Sequence, residues 1–401
     1  MSAITPERIE AARIAGLGVV RHTPVIESLS LSERYGGTVV LKAENLQRTG
    51  SFKLRGALAK VAELGPTAQS GVVAGSAGNH GQALAYAARV RSVPCEIFVP
   101  SGASISKCEA IRSYGAHVHE GGDSVDEAIA AAQARAVELN ATFVSPYDDE
   151  GVVAGQATLG LELLGDIPAM SQVLVPVGGG GLISGVAVAI KLARPDVKIV
   201  GVQVEACAPY ATGVTPTGPI NTLADGIAVK RPGTITRPLI ERYVDELLIV
   251  TEDEVADAMM FLMEHAHLYV EGAGSVGVAA LLANRVPRRT SGTTCLVLSG
   301  GNVDLGVLPN LIRRQETRSG RRLILFARLT DRPGVLAKLL TLVGDFGANV
   351  IEVEHVREGV ELHVRQTGIQ LAIEVRDRAH GQALMSKLDA AGYQAREVHD
   401  T

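Results

Sequence analysis

Short apolar runs alternate with helix-patterned stretches along the chain almost to residue 310. The runs are rich in Val, Ile and Leu, the composition that buried parallel strands require. They predict strands at 38–43, 71–75, 95–99, 116–119, 142–144, 172–177, 198–204, 246–250 and 294–299. The stretches between them predict helices at 53–64, 79–91, 104–114, 123–139, 152–164, 182–193, 253–267 and 272–284. Such alternation is typical of an α/β fold with a doubly wound parallel sheet.

The pattern changes at residues 310–322, where the sequence NLIRRQETRSGRR contains five arginines. A basic tract this short between two apolar regions indicates a solvated linker at 313–322. Beyond it the pattern predicts a strand, a helix that Pro333 opens at its first position, two strands, a helix and a last strand. These elements lie at 323–329, 333–346, 349–357, 360–374, 377–391 and 393–398. The βαββαβ order predicts a small α+β domain over 323–401.

Composition limits the class of protein. Of the 401 residues, 46% are apolar and 20% are charged, so the chain can bury a large core. A net charge of -5 offers no basic surface for nucleic acid. No stretch approaches 18 uncharged apolar residues, and the charged amphipathic helix predicted at 1–16 is unlike a signal peptide. The four cysteines match no zinc spacing. We therefore expect a cytoplasmic protein with reduced thiols.

Lys53 lies in the run ENLQRTGSFKLRGA, which covers residues 44–57. It follows a cluster of turn residues, so Ser51 is the expected N-cap and Lys53 the start of a helix. There the helix dipole and partial burial both disfavour the ammonium form. A neutral lysine can form a Schiff base with a carbonyl cofactor and then act as a general base. From these residues alone, an ordinary lysine at a helix start is an equally good interpretation.

A glycine-rich junction, SAGNHGQ, begins at Ser76 directly after a predicted strand. Its glycines, together with Gly75, are spaced GxxGxxG rather than GxGxxG. The next acidic residue, Glu96, falls inside the following strand instead of at its end. Both features disfavour a dinucleotide site. Small polar groups and free amides at a helix start instead suit a carboxylate.

Four consecutive glycines, Gly178 to Gly181, stand between an apolar strand and a predicted helix. Their cost in backbone entropy is understandable if successive amides curl around an anion in front of a helix N-terminus. A lysine follows only at Lys191, so this is not a Walker A loop. The pattern predicts a phosphate cup for a permanently held phosphorylated cofactor. A third junction, LSGGN from Leu298, also follows a strand, although a plain turn explains it equally well.

Together, ENLQRTGSFKLRGA, SAGNHGQALA, VPVGGGGLISG and LSGGN resemble the PLP (pyridoxal 5′-phosphate)-dependent threonine dehydratase family, of the tryptophan-synthase-β-like fold. The resemblance covers residues 1 to about 310. It implies a two-lobed catalytic domain over 1–312, with a small lobe at roughly 48–153 inserted into the large lobe. The sequence LTDRPGVL from Leu329 and Gly347-Ala-Asn349 resemble a single ACT regulatory domain, which indicates the one-ACT form.

The resemblance implies roles for individual residues. Lys53 would form the Schiff base with PLP and later remove the Cα proton. The cofactor would be held by Asn79 at its phenolic oxygen, by Gly178, Gly179, Gly180, Gly181 and Leu182 at its phosphate, and by Ser299 at its pyridine nitrogen. The substrate would be bound by Thr49, Gly50, Ser76, Asn79 and His80.

The implied activity is that of an L-threonine ammonia-lyase (dehydratase), which makes 2-oxobutanoate and ammonia and also converts L-serine to pyruvate. Ser299 agrees with it, because a hydroxyl stabilises a pyridinium less than a carboxylate does and so favours β-elimination over transamination. A serine racemase or hydroxy-aspartate dehydratase on the same scaffold is the alternative among enzymes. A non-catalytic amino-acid sensor is the alternative of another class.

No metal site is expected. By the same resemblance, some relatives carry acidic metal ligands, beginning with a glutamate, after the strand predicted at 198–204. Here Gln203 stands in that place, and Glu205 is interpreted as an ordinary strand-end residue.

The ACT-like region implies an amino-acid effector, isoleucine or valine, bound where two copies meet. The expected contacts are Asp331, Arg332, Pro333, Gly334, Gly347 and Asn349. An allosteric homo-oligomer, a dimer or a tetramer, of amino-acid metabolism (isoleucine biosynthesis) is therefore expected. The sequence decides neither the sign of the effect nor a biosynthetic over a degradative role.

Overall fold

The computed structural model describes residues 4–289, 291–358 and 362–398. The chain divides into two units, Met1–Val303 and Asp304–Thr401. None of the described helices is long and apolar enough to cross a membrane.

Two sheets organise the first unit. Its strands are β1 (Val25–Glu27), β2 (Val39–Lys42), β3 (Val72–Gly75), β4 (Cys95–Val99), β5 (His117–Glu120), β6 (Thr142–Phe143), β7 (Met170–Pro176), β8 (Lys198–Val204), β9 (Glu246–Val250) and β10 (Thr293–Val297). The larger sheet has the order β1-β2-β10-β7-β8-β9 and the smaller one β5-β4-β3-β6. Among the described residues, every pair in these sheets is parallel except β1–β2. The predicted parallel α/β fold is confirmed.

Helices provide the crossovers that parallel strands need. They are α1 (Pro6–Gly16), α2 (Leu29–Tyr35), α3 (Lys53–Leu64), α4 (Asn79–Val90), α5 (Ile105–Ser113), α6 (Val125–Glu138), α7 (Glu150–Asp166), α8 (Gly181–Ala193), α9 (Pro209–Thr212), α10 (Thr236–Tyr243), α11 (Glu252–Phe261) and α12 (Gly272–Leu282). A π-helical turn, Leu262–Ala266, extends α11, and a short 3-10 turn covers Asp225–Ile227. The sequence pattern predicts each long helix but misses β1, α2, α9 and α10, which are short.

The central strands of the larger sheet are buried throughout. Leu174, Val175, Val200 and Val202 have no exposed surface, and the Gly-, Ala- and Val-rich α8 is buried along its first ten residues. Burial on this scale comes from β-branched and small side chains that pack closely across parallel strands. It gives the loops at the carboxyl ends of these strands a rigid base.

The second unit is a four-stranded antiparallel sheet with helices. It comprises α13 (Leu308–Arg318), β11 (Arg322–Thr330), α14 (Val335–Asp345), β12 (Asn349–Val356), β13 (Gln366–Glu374), α15 (Arg378–Ala390) and β14 (Gln394–Glu397). The sheet order is β12-β13-β11-β14. From β11 onward this is the predicted βαββαβ arrangement, which the structure confirms.

Three local predictions in this unit differ from the structure. The stretch 313–322, predicted to be a linker, is helical as far as Arg318, because it continues α13, whose Leu311 is buried while Arg313 and Arg318 are exposed. Pro333 is not the first residue of α14, which begins two residues later after Gly334 at φ +84°. The strand predicted at 360–374 begins only at Gln366, and residues 359–361 lie outside the described residues.

Candidate active site

The sequence motifs meet where strands end. The first glycine junction follows β3, the four glycines follow β7, and the third junction follows β10. Loops at the carboxyl ends of parallel strands are where α/β folds form binding sites. A direct contact joins the loops of the two sheets, since Asn79 Nδ2 donates to Glu271 Oε1 at 2.8 Å. Within the larger sheet, Ser51 after β2 pairs with Gly300 after β10.

Lys53 is the first residue of α3, and its side chain is half-buried. Its Nζ donates a hydrogen bond to the carbonyl oxygen of Pro146 at 2.8 Å. Burial lowers the pKa of Lys53 to about 8, although the carboxylate of Glu271 acts in the opposite direction. The residue after Pro146, Tyr147, packs against Gly179, so one dipeptide links the amine to the glycine loop.

The turn before α3 corrects the predicted cap. Ser51 is not the N-cap, because Phe52 takes that position and no side chain caps the helix start. Ser51 pairs instead with Gly300, and the Phe52 amide donates to the carbonyl oxygen of Ser299 at 3.1 Å. This pairing with a distant loop fixes the backbone, and the Ser51 hydroxyl is left buried without a hydrogen-bond partner among the described residues.

An ion-pair network holds the first turn of α3. Arg55, which is 2% exposed, donates to both carboxylate oxygens of the fully buried Glu44 at 2.8 Å each. It also donates to the two oxygens of Glu162 on α7 at 2.7 and 2.9 Å. Burial acts to lower the pKa of Arg55, but the carboxylates outweigh it and raise that pKa above its usual value. Bidentate pairing of this kind fixes orientation as well as charge.

Lys42, fully buried on β2, extends the network. Its Nζ lies 2.9 Å from Glu162 Oε2 and 3.0 Å from Asp166 Oδ2, and it donates to the carbonyl oxygen of Thr23. His22, Glu162 and Asp166 converge within 4.8 Å of one another, as ligands of a cation would. Lys42 pairs with both carboxylates, and Glu162 also pairs with Arg55, so this cluster is better described as an ion-pair network.

The four glycines form a tight loop between β7 and α8. A Cβ on Gly179 would overlap the ring of Tyr147, and Gly180 has a φ of +91°, which residues with a Cβ rarely adopt. Helix α8 begins at Gly181, and the first amides of a helix have no partner within it. The loop can therefore present backbone N–H groups closely to an anion, as the predicted phosphate cup requires.

Two hydroxyl groups that the sequence did not single out orient this loop. Tyr210 Oη and Thr236 Oγ1 both donate to the carbonyl oxygen of Gly179, at 2.9 and 2.7 Å. Because the peptide unit is planar and trans, the N–H of Gly180 points away from these hydroxyls. On the loop's other side, a Cβ on Gly178 would lie 2.9 Å from Ile227 Cα, while Leu182 is buried at the helix start.

The side chain of Gln203 is engaged in hydrogen bonds to the backbone. It is fully buried, and its Oε1 accepts from the backbone amides of Tyr210 and Ala211 at 3.1 and 3.0 Å. Its Nε2 donates to the carbonyl oxygen of Val177 at 3.3 Å. The side chain thus connects the start of α9 to the glycine loop. Glu205 accepts from the amide of Glu252 at 3.4 Å, as a strand-end residue would.

The first glycine junction presents the open start of α4. Asn79 is the first residue of that helix, and Gly78 occupies the N-cap without a side-chain cap. Ser76 is fixed on both sides, because its amide donates to Phe98 O at 2.9 Å and its Oγ accepts from the Gly78 amide at 3.2 Å. The free amides of the first turn therefore face whatever anion binds here.

His80 is less suited to a carboxylate than its position suggests. Burial, followed by the charge of Lys53, lowers the pKa of His80 to about 3, so the ring is neutral. Its Nε2 lies 2.9 Å from the carbonyl oxygen of Val144 and must carry the proton, because a carbonyl can only accept. The remaining Nδ1 is then an acceptor, and an anion at this junction would contact backbone amides rather than the ring.

Asn79 belongs to a hydrogen-bond chain that spans the loops of both sheets. Its Oδ1 accepts from Asn302 Nδ2 at 2.6 Å, and that same nitrogen donates to the carbonyl oxygen of Thr49 at 3.0 Å. Its Nδ2 donates to Glu271 Oε1. Gly50, at φ +74°, leaves the space for Asn302, since a Cβ there would lie 2.5 Å from Asn302 Oδ1. Sequence reasoning missed both Asn302 and Glu271.

The residues present fit a phosphorylated carbonyl cofactor. A lysine with a lowered pKa, a glycine loop that only backbone can line and an asparagine with one uncommitted N–H lie together. Thr49 Oγ1 is buried without a partner among the described residues, so the adjoining pocket has a polar group to offer a ligand. Ser299, 3% exposed, holds the turn of Lys53 through its carbonyl oxygen.

The predicted effector residues lie at two ends of the second unit. Asp331 to Gly334 follow the end of β11, whereas Gly347 and Asn349 lie at the start of β12. Asn349 and Arg322, the first residue of β11, both face Glu374 on β13. The two turns are therefore separated by the length of β11, about 27 Å. One copy does not bring them together.

Comparison of the chain with known proteins shows the family to which it belongs. Residues 17–300 match the family described as pyridoxal-phosphate dependent enzymes, and residues 323–392 match the ACT domain. The chain belongs to the pyridoxal-phosphate-dependent enzyme family. Its cofactor is therefore PLP, and the C-terminal unit carries an ACT domain.

Three relatives define the neighbourhood of this PLP enzyme. An L-threonine ammonia-lyase of Thermotoga maritima is 44% identical over 98% of this chain and 100% of its own length. Among solved structures, maize serine racemase is 32% identical with a TM-score of 0.72, covering 79% of this chain and 98% of its own. A threonine deaminase from T.th. is 35% identical with a TM-score of 0.70, covering 75% of this chain and 99% of its own.

Proposed function

We propose that this protein is an L-threonine ammonia-lyase that converts L-threonine to 2-oxobutanoate and ammonia, and L-serine to pyruvate. The observation that carries the proposal is the full-length similarity to the Thermotoga maritima enzyme, which extends through both the catalytic unit and the ACT domain. The similarity to serine racemase covers less of the chain and is lower in identity.

Bound PLP supplies an electron sink that makes the Cα proton of an amino acid removable. The chain's own residues supply the rest. Lys53 tethers the cofactor, and its neutral amine then takes the Cα proton at Nζ, which its lowered pKa favours. The glycine loop would hold the phosphate, and Asn79 would donate to the phenolic oxygen. Backbone amides at the start of α4 and the hydroxyl of Thr49 bind the substrate carboxylate.

Turnover by matched lysine variants tests this function. Purified wild-type protein should contain PLP, show the visible absorbance of a Schiff base between PLP and a lysine, and make 2-oxobutanoate from threonine. Lys53→Ala should lose the absorbance and at least about a thousandfold in kcat, because it lacks both tether and base. Lys60→Met, on the same helix, is the control and should keep both. Wild-type protein without PLP or without lyase activity would refute the proposal.

A racemase is the second candidate, because maize serine racemase is among the structural relatives. Chiral analysis of the serine that remains during turnover separates the two activities. Accumulation of D-serine faster than pyruvate would favour the racemase. Competition between threonine and 3-hydroxyaspartate tests the hydroxy-aspartate dehydratase in the same assay, and absence of any turnover would favour a sensor.

The ACT domain supports regulation by an amino acid, which we propose to be isoleucine or valine. The distance between its two candidate turns supports a site shared by two copies, and hence a homodimer or a larger homo-oligomer. Threonine turnover with and without each amino acid, together with the mass in solution, tests both points. Unchanged kinetics with both amino acids would remove them as effectors.

A further inference from the structure

Glu271 is a buried carboxyl group to which the proposed reaction assigns no task. It is 6% exposed and occupies the N-cap position of α12, but its side chain caps no amide of that helix. Its Oε1 accepts from Asn79 Nδ2 at 2.8 Å, and the backbone of Asn302 acts to lower the pKa of the carboxyl group. A buried acid retained at this cost needs an explanation.

The hydrogen bonds around Asn79 allow only one orientation of its amide. At one end of the chain, the carbonyl oxygen of Thr49 can only accept, so Asn302 must turn its nitrogen toward both Thr49 and Asn79. At the other end, the carboxylate of Glu271 accepts from Asn79 Nδ2. Reversing the Asn79 amide would place its nitrogen against Asn302 Nδ2 and its oxygen against the carboxylate of Glu271. One Asn79 N–H remains for a ligand.

The surrounding backbone makes room for this carboxylate. A Cβ on Gly300 would overlap Glu271 Oε1, and a Cβ on Gly226 would lie 3.4 Å from the same atom. The amide of Glu271 also donates to the carbonyl oxygen of Gly300 at 3.0 Å. The side chain is therefore held in place by the loop that carries Ser299, which leaves it little freedom to leave Asn79.

We propose that Glu271 is a positioning residue for PLP. Glu271 acts by holding the Asn79 amide in the orientation that directs one N–H to the cofactor's phenolic oxygen. The inference rests on the proposed function, because it takes Asn79 as a cofactor ligand. Glu271 reaches Asn79 from the larger sheet, so it also ties α4 of the smaller sheet to the third glycine junction.

Three charged groups face Glu271 and make the proposal testable by pH. Burial, and then the carboxylate of Asp225, raise the pKa of Glu271 to about 7, while the ammonium of Lys107 on α5 acts to lower it. Lys107 and Asp225 form an ion pair of 3.4 Å between the two lobes. Lys53 is the third charge, since Glu271 raises the pKa of that lysine.

The first experiment measures PLP affinity in a Lys53→Ala background, where binding is non-covalent and turnover plays no part. Adding Glu271→Ala should weaken the Kd about ten- to hundredfold, the worth of a charge-assisted hydrogen bond. Adding Glu271→Gln, whose Oε1 still accepts from Asn79, should cost less. The matched control is Ser275→Ala, which removes only a bond to the backbone carbonyl of Glu271. Equal Kd values for all variants would overturn the proposal.

A double-mutant cycle separates positioning from folding. If Glu271 acts through Asn79, then Glu271→Ala should change the Kd for PLP by less than about twofold once Asn79 is already alanine. An undiminished effect in the Asn79→Ala background would refute the proposed route. Thermal melting of each variant without PLP shows whether the protein remains folded. A failure of threonine turnover in wild-type protein would instead count against the proposed function alone.

The pH dependence gives a signature that a purely structural role would not produce. In the Lys53→Ala background the Kd for PLP should show an inflection near pH 7 that is absent in Glu271→Gln. Asp225→Asn should move this inflection to lower pH, and Lys107→Met should move it to higher pH. Shifts in the opposite directions, or an inflection near pH 7 that survives Glu271→Gln beside the one from the phosphate of PLP at about pH 6, would overturn the assignment.

Discussion

The starts of α3 and α8 carry the two groups that we propose to hold the cofactor, yet the two helix starts are anchored in opposite ways. Helix α3 brings Lys53 and is anchored through Arg55 by a buried network of full charges. Helix α8 brings the phosphate loop and is anchored by neutral hydroxyls on the carbonyl oxygen of Gly179 and by the absence of side chains.

The difference follows from what each helix start must do. A lysine that reacts as a neutral amine needs a fixed position but no carboxylate bonded to it, so the anchoring charges act two residues away. A phosphate cup must keep its own N–H groups free, so its anchors bind carbonyl oxygens only. We expect the first arrangement to fail by leaving a buried charge unpaired and the second to fail by steric overlap.

Arg55→Met should produce the largest effect on stability. It leaves the carboxylate of Glu44 buried without its partner, and breaking such a pair costs about 3–5 kcal/mol. Chemical denaturation of the cofactor-free protein measures the free energy of unfolding. Arg237→Met removes an exposed ion pair on α10 and should cost no more than about 0.5 kcal/mol. Similar losses in both variants would contradict the role assigned to the buried network.

Gly179→Ala should have the next largest effect, and it should act on the cofactor. The added methyl group overlaps the Tyr147 ring, and relieving such overlap costs about 1–3 kcal/mol. Because Tyr147 follows the residue that binds Lys53, we expect weaker PLP binding as well as lower stability. Gly165→Ala, in α7 with open space around it, is the control and should be neutral. Unchanged PLP affinity in Gly179→Ala would contradict the cup.

The smallest expected effect is a shift of reactivity with pH. Burial lowers the pKa of Lys53 to about 8, so its amine should become fully nucleophilic near pH 9, while an exposed lysine continues to gain reactivity above pH 10. Acetylation of Lys53 in the cofactor-free protein, followed by mass spectrometry from pH 6.5 to 10.5, measures this. Glu271→Gln should lower the midpoint, because Glu271 raises it. A midpoint of acetylation near pH 10 would show that burial does not lower the pKa of Lys53.

Most of the fold could be predicted because parallel strands buried on both faces read as uninterrupted apolar runs. The runs at 172–177 and 198–204 correspond to β7 and β8 within two residues. Short elements are not predicted by such a pattern, since β1 has three residues and α2 has seven. The arginine-rich stretch at 313–318 was expected to be a solvated linker, but it continues α13, whose Leu311 is buried.

The candidate site could be predicted only where its chemistry is contained in one local motif. Lys53 and the four glycines stand out because turn residues and a helix start surround them. Glu271 does not, because its partner Asn79 is 192 residues away and an acid before a helix ordinarily indicates a cap. The Ser51 cap was wrong for the same reason, since pairing with Gly300 comes from a distant loop. His80 was expected to meet an anion, but only the fold shows that its proton is committed to Val144.

If the proposed effector contacts both turns of the ACT domain, the spacing of these turns links the effector response to assembly. A small amino acid cannot span the length of β11, so a ligand that contacts both turns must be shared by two molecules of the protein. The free energy of effector binding would then stabilise the association of the two molecules, by mass action. The half-saturating effector concentration should rise on dilution of the enzyme, and a single dissociated chain would not respond to the effector.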